Sequence, residues 1–281
     1  MKKLIYLLLF VISWPSLARQ FDVEVILFKR NIAPEQVSEL WPDQMPAINY
    51  NAAIDLGDTA SLKARGIRPM SPSRFQLNGE YNKLKQHAGF TPLAHFGWRQ
   101  GDLSKAAAPE IHFTAGKDFS GQFLPDGTSR MAASSATATT AADDSGMVIT
   151  TDNGATNTAS DAATNLSGSA LHELEGKMKV YVQHYLFTEA EIDLREPSRR
   201  EVIVGTEPLD NTGIDPMLTP ADPAVANSNV QVGHLQEVKK QVEVEEFLKS
   251  YRFDQQRQMG SNEMHYIDHP LMGMIIQIRR L

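Results

Sequence analysis

The chain has 281 residues and an acidic composition, with 27 Lys and Arg against 34 Asp and Glu and a formal net charge of −7. This charge disfavours nucleic acid and anionic lipid as partners through bulk attraction. The chain contains no cysteine, which excludes disulfides, thiol catalysis, thiolate metal sites and the lipid-bearing cysteine of a bacterial lipoprotein.

Residues 1–18 have the pattern of an export signal. Two lysines follow the initiating methionine, residues 4–14 form an apolar stretch, and Ser16 and Ala18 are the small residues that a signal peptidase requires. Because the apolar stretch is well short of the roughly 20 residues that span a bilayer, the sequence predicts cleavage after Ala18 over a retained membrane anchor. The mature chain, residues 19–281, then has a net charge of −9 because two lysines are lost.

This signal is typical of bacterial export, and no second apolar span follows it. We therefore expect a periplasmic protein that does not insert into the membrane after cleavage, with secretion beyond the periplasm left open. Without a cysteine or an anchor, binding to the wall or to a partner has to localise the protein.

A strand pattern begins two residues after the predicted cleavage site. Four apolar residues alternate with polar ones along FDVEVILF, namely Phe21, Val23, Val25 and Leu27. A period of two is typical of a half-buried strand, and no local hairpin partner follows it. The sequence therefore predicts an integral sheet strand that pairs with distant segments of the chain.

One helix is indicated next. Three apolar residues recur at i, i+4 and i+7 on one helical face: Leu77, Tyr81 and Leu84. Ser71 or Ser73 can cap the start of this helix, and Gly89 is placed to end it. The LAHFGWRQ stretch at residues 93–100 predicts the strand that follows.

Two stretches without aromatic residues interrupt the chain, at about residues 124–170 and 205–233. The first is mostly Ala, Ser, Thr, Gly, Asn and Asp, and the second contains four prolines. Such segments cannot bury enough apolar area to offset their chain entropy, which predicts two disordered insertions. Because the remaining blocks are each too small for a core, we expect one domain over residues 19–281; the alternative is that the insertions link separate domains.

Apolar and polar residues alternate again after the first insertion. Residues 177–186 predict a strand with five residues on one side: Met178, Val180, Val182, His184 and Leu186. Residues 231–249 fit a helix, but the alternation in QVEVEEF fits a strand equally well, so both alternatives stay open.

The C-terminal block predicts an antiparallel hairpin plus one more strand. Three aromatic residues share one face of its first strand: Phe247, Tyr251 and Phe253. Residues 260–262 supply turn chemistry, and strands over 263–268 and 272–278 follow. One main helix packed on one face of a mostly antiparallel sheet is an α+β fold, here interrupted by the two long disordered polar loops.

Enzyme motifs are absent from the sequence. There is no Gly-x-Ser-x-Gly, no Ser-x-x-Lys, no phosphate-cradling glycine loop and no EF-hand loop. His172 and Glu173 begin a zinc-protease pair, but the required second histidine is replaced by Gly176. We therefore expect no catalytic residues and no cofactor.

The HYIDHP segment is the strongest candidate for a metal site. On an extended strand His265 and His269 share a face and could converge on a metal with a carboxylate from elsewhere, while Asp268 faces away. The alternative is that polar residues cluster where a strand ends before Pro270 and bond turn amides. No third ligand is indicated by spacing, so the second interpretation is favoured.

Trp98 and Arg99 suit a carbohydrate or carboxylate ligand, because indole faces stack on sugar rings and a guanidinium binds carboxylates in bidentate fashion. Trp98 is equally a candidate core residue, and that interpretation is favoured because large aromatics in small sheets usually pack. Tyr266 has the same two interpretations. Six residues are candidates for ligand binding: Trp98, Arg99, His95, Tyr266, Asp268 and His269.

Three blocks together resemble a known family. They are residues 75–100, with Leu77, Tyr81, Leu84 and the Trp98-Arg99-Gln100 triplet; FDVEVILFKR directly after the signal; and the closing YRFDQQRQMGSNEMHYIDHPLMGMIIQI. They are similar to the CsiV family of proteobacterial peptidoglycan-binding proteins. The resemblance covers the mature chain except the two polar insertions.

The resemblance implies a periplasmic protein that binds peptidoglycan and helps to regulate wall synthesis. It implies a link to a bifunctional peptidoglycan synthase through the outer-membrane lipoprotein that activates this synthase. It brings no catalytic residues and no ligand-binding set. The alternative function is a metal-dependent or hydrolytic cell-wall enzyme that uses the HYIDHP segment.

Overall fold

The computed structural model describes residues 19–134, 170–208 and 238–281. Its α+β architecture, with mostly antiparallel strands, confirms the predicted fold class. The predicted signal peptide and most of the two predicted insertions lie outside the described residues. Within these ranges, no helix is long and apolar enough to cross a membrane.

The described ranges include ten strands and two α-helices. The strands are β1 (Gln20–Arg30), β2 (Ala53–Asp55), β3 (Arg68–Pro69), β4 (Phe90–Gly101), β5 (Glu110–Asp118), β6 (His172–Gln183), β7 (Tyr185–Pro208), β8 (Val238–Met259), β9 (Met264–Asp268) and β10 (Met272–Arg280). The helices are α1 (Thr59–Ala64) and α2 (Asn78–Gln86). The expected strand at LAHFGWRQ is confirmed as β4.

The strands form two five-stranded sheets. The first sheet has the order β3-β4-β1-β10-β9, and the second has the order β2-β5-β6-β7-β8. β1 lies at the centre of the first sheet, where Val23 is opposite Trp98 of β4 and Ile278 of β10, both antiparallel. This confirms that the first strand pairs with distant segments.

The main core is shared by the two sheets. Val23 and Val25 from β1 and Ile276 from β10 belong to the same buried cluster as Ile192 of β7 and Phe253 of β8. Alternate residues of β1 therefore face this core, and the others face outward.

α2 covers part of the outer face of the first sheet. Leu77 precedes the helix and packs on Ile26 and Phe28 of β1, with Tyr81 and Leu84 against the same cluster. The predicted helical face is thus confirmed. The predicted cap is wrong, because the hydroxyls of the two candidate serines bond each other over 2.8 Å and Leu77 holds the N-cap position.

Two other boundaries differ from prediction. The chain reverses at His184, which has a φ of 64°, so Gln183 pairs with Tyr185 and Leu186 lies on β7 instead of continuing β6. In the ambiguous stretch over residues 231–249, residues 238–249 are strand and belong to β8, and residues 231–237 lie outside the described residues.

The C-terminal hairpin also differs from prediction, because β8 pairs with β7 and β9 pairs with β10. The chain crosses from the second sheet to the first at residues 260–263, where Asn262 has a φ of 65°.

Residues 124–134, at the start of the first predicted insertion, contact β8. Gly127, with a φ of 84°, accepts the backbone N–H of Leu248 over 2.8 Å, and Thr128 bridges to Phe247. This contact orders residues 124–134 against β8. Residues 205–208, at the start of the second predicted insertion, belong to β7.

Candidate functional site

Two carboxylates on the outer face of β1 are buried, namely Asp22 and Glu24. They alternate with Val23 and Val25, so their side chains point away from the core between the sheets. Residues 71–77 and the adjacent strands cover them. Such buried charges require several hydrogen-bond partners.

Glu24 is surrounded by four donors. Its carboxylate accepts the backbone N–H groups of Gln76 and Leu77 over 2.8 Å each. Arg279 donates from Nη1 over 2.7 Å, and Nε2 of His95 lies 3.0 Å away. Burial acts to raise the pKa of Glu24, but these hydrogen bonds outweigh it and hold the pKa below its ordinary value.

Asp22 is paired mainly with Arg99 of β4. Nε and Nη2 of Arg99 donate to its two carboxylate oxygens over 2.6 and 2.9 Å, a bidentate pair. Arg74 lies 3.8 Å from Asp22, and Arg279 lies 4.0 Å from it. Burial acts to raise the pKa of Asp22, but the hydrogen bonds and charge of Arg99 lower it overall.

Five arginines line two hollows beside these two carboxylates, and we call them the arginine patch: Arg68, Arg74, Arg99, Arg279 and Arg280. They come from β3, β4, β10 and the turn before α2. Among the described side chains, neither Arg68 nor Arg280 forms an ion pair. The patch is therefore locally positive in a chain whose net charge is −7.

Arg74 stands between two hollows of the patch. One hollow, of about 320 Å³, is lined by Arg68, Arg74 and Arg99. The other, of about 570 Å³, is lined by Arg74, Arg279 and Arg280. The side chain of Arg74 is 53% exposed, so its guanidinium can reach a bound anion while the buried carboxylates hold Arg99 and Arg279 in place. Guanidinium groups in this arrangement suit planar carboxylates.

Two of the predicted candidates lie in this site. Arg99 is part of the patch, and His95 lies beneath it, with ring centroids 4.5 Å from Phe75 and 5.1 Å from Tyr81. His95 therefore supports Glu24 from below the surface.

Trp98 lies on the opposite side of β4 and is fully buried in the core. Its Nε1 donates to Gln100 over 2.7 Å, and Nε2 of Gln100 donates to the carbonyl of Val180 in the second sheet over 2.8 Å. This position agrees with the core interpretation and separates Trp98 from the patch.

Tyr266 and Asp268 lie on β9, at the other edge of the same outer face. The Tyr266 hydroxyl donates to Asp268 over 2.6 Å and accepts from Arg30 over 2.8 Å, and Arg30 also pairs with Asp268. This group is separate from the patch, so the structure does not bring all six candidates together.

The two histidines of HYIDHP have different surroundings. His269 is buried near Trp41, its Nδ1 accepts the Leu271 N–H over 3.2 Å, and burial lowers its pKa. Nε2 of His265 lies 3.2 Å from the backbone nitrogen of Gly260. Across the described ranges, no three His, Asp or Glu side chains are grouped so that they could hold a metal ion.

Sequence reasoning missed Asp22 and Glu24, because polar residues that alternate on a strand usually face solvent. It also missed Arg68 and Arg74, which precede the predicted helix. A weak signal was available, since acidic residues on an otherwise apolar strand need cations from other strands.

Comparison with known protein families gives a match over nearly the whole chain. A family model described as "Peptidoglycan-binding protein, CsiV" matches residues 2–281. No curated protein and no solved structure matches the chain. The match includes every strand that contributes to the patch.

Proposed function

Because the chain belongs to the CsiV family of peptidoglycan-binding proteins, we propose that it is a noncatalytic periplasmic protein that holds peptidoglycan at the arginine patch. In this proposal the protein helps to regulate wall synthesis by associating with the wall and with an outer-membrane lipoprotein that activates a peptidoglycan synthase. The family resemblance supports that partner.

The observation that carries the binding site is the concentration of five arginines around two open hollows. Peptidoglycan is a glycan with short peptide stems whose carboxylates make the polymer anionic. Two of these arginines are fixed by the buried carboxylates, and Arg68, Arg74 and Arg280 also line the hollows. A prearranged cationic surface binds carboxylates with little loss of side-chain entropy.

Sedimentation with purified, protein-free sacculi tests this proposal. We expect the protein to pellet at physiological salt, and its apparent affinity to fall as salt screens the exposed charges. A double variant, Arg68→Ser with Arg74→Ser, should bind about tenfold more weakly. If the unsubstituted protein stays in the supernatant, direct wall binding is wrong and a protein partner becomes the better hypothesis.

The matched control changes the same charge elsewhere. Arg199 and Arg257 are exposed on the second sheet, so Arg199→Ser with Arg257→Ser should bind sacculi like the unsubstituted protein. Equal losses in both double variants would mean that net charge, and not the patch, determines binding. Thermal unfolding of each variant shows whether it is folded.

The noncatalytic role has its own test. Metal analysis of the purified protein and an assay for muropeptide release from sacculi should both be blank. Release of fragments would favour the alternative of a wall hydrolase.

Export is tested by cell fractionation together with N-terminal sequencing. We expect the mature protein in the periplasmic fraction, beginning at Arg19. An intact N-terminus in the membrane fraction would favour the retained anchor.

A further inference from the structure

An exposed strip runs along β9 on the same outer face as the arginine patch. Met264 and Tyr266 point outward at alternate positions and are 53% and 51% exposed, and Asp268 follows them. Large apolar side chains at this exposure are uncommon on an edge strand, where charged residues usually prevent pairing with other chains. The strip is therefore a candidate contact surface.

The ring of Tyr266 is held in one orientation. Its inner face stacks on Phe28, with ring centroids 6.2 Å apart and an angle of 13° between the planes. The hydroxyl is fixed by Asp268 and Arg30. Because the ring is already ordered, a ligand that packs on its other face costs little conformational entropy.

The strip leads directly to the larger hollow of the patch. Met264 is paired with Gln277, whose side-chain oxygen accepts a hydrogen bond from Arg279 over 3.0 Å. Tyr266 is paired with Ile275, four residues before Arg279 on β10. At about 3.3 Å per residue, the ring and the hollow are separated by roughly 13 Å along the strand.

We propose that Tyr266 is a sugar-stacking platform, on which one ring of the peptidoglycan glycan packs while a carboxylate of the attached peptide reaches the hollow of Arg279 and Arg280. The inference rests on the proposed function, because it assigns the glycan and the peptide of one ligand to two parts of one surface. The apolar face of a pyranose suits a flat aromatic ring, and Asp268 and Arg30 at its rim can bond sugar hydroxyl and amide groups.

The charge distribution favours this orientation of the ligand. Asp268 and Arg30 neutralise each other at the Tyr266 end, whereas the hollow at the other end is lined by three arginines. A neutral sugar therefore fits the ring, and an anionic peptide fits the hollow.

Binding to glycan strands that an amidase has stripped of their peptides tests the platform. The unsubstituted protein should bind these strands more weakly than intact sacculi but measurably. Tyr266→Ala should reduce this binding by about tenfold, and Tyr266→Phe, which keeps the ring, should retain most of it. Tyr185→Ala is the matched control, because Tyr185 is 61% exposed on the second sheet.

The outcomes distinguish the inference from the proposed function. If intact sacculi bind but stripped glycan strands do not, or if Tyr266→Ala binds the strands like the unsubstituted protein, the platform is wrong and wall binding stands. If intact sacculi do not bind, the proposed function itself is wrong. Should Tyr266→Ala fail to fold, Tyr266→Leu keeps a side chain against Phe28 without a flat ring and serves the same comparison.

Discussion

The carboxylate of Glu24 accepts the backbone N–H of Leu77 over 2.8 Å, although the two residues lie 53 positions apart. This bond joins the centre of the first sheet to the start of α2. It also fixes the turn that carries Arg74, so the network beneath the patch has both a structural role and a positioning role.

Glu24→Gln should destabilise the protein by about 3 kcal/mol, because an amide leaves part of a buried hydrogen-bonded charge network unpaired. Urea unfolding measures the loss. Glu263→Gln is the control, since the Glu263 side chain is 71% exposed. Equal stability of the two variants would show that the network contributes nothing.

Acid should weaken the same network. The folded-state pKa values of Asp22 and Glu24 lie below their ordinary values, so their contribution is present above the ordinary range and is lost as pH falls through the folded values. Stability of the unsubstituted protein should therefore decline between about pH 5 and pH 2, and Glu24→Gln should show a shallower decline. Parallel curves would contradict this linkage.

Arg99→Lys should cost about 2 kcal/mol, because lysine cannot reproduce the bidentate contact with the buried Asp22. In a double-mutant cycle with Asp22→Asn, the two losses should not add. Additive losses would mean that the pair is not coupled.

Trp98→Phe should lower the free energy of unfolding by about 2 to 3 kcal/mol, since it removes buried volume and leaves Gln100 without its donor. Sacculus binding per folded molecule should be unchanged, because Trp98 faces the core. A selective loss of binding at full stability would place Trp98 in the ligand site.

Glu196→Gln should be neutral or stabilising at pH 8. Burial raises the pKa of Glu196, although the Lys29 charge, 3.4 Å away, partly opposes this. A raised pKa means that stability is lost as pH rises through the folded value, and glutamine removes that loss. Lys29 keeps its 2.5 Å partner Glu173. If the variant becomes less stable than the unsubstituted protein as pH rises from 4 to 8, folding does not raise the pKa of Glu196.

Local patterns were sufficient for most elements of the fold. Alternation predicted β1 and β4, and the spacing of Leu77, Tyr81 and Leu84 predicted the buried face of α2. The reversal at His184 was missed because a non-glycine residue with positive φ carries little sequence signal.

The site depends on long-range pairing, which alternation does not determine. Asp22 pairs with Arg99 only because β1 and β4 adopt one particular register, and Arg279 reaches Glu24 only because β10 lies on the other side. A shift of one residue in either register would turn these side chains into the core. The patch therefore could not be predicted without the sheet order.

The central position of β1 has a consequence for the order of events during synthesis. Phe21 is paired with Arg280, and the backbone N–H of Leu281 donates to the carbonyl of Gln20 over 2.9 Å. β1 therefore cannot complete its pairing until β10 has been synthesised. Contacts of such long sequence separation form slowly. A growing chain therefore cannot close the first sheet early. The arginine patch lies across this sheet and therefore forms only after β10 has paired with β1.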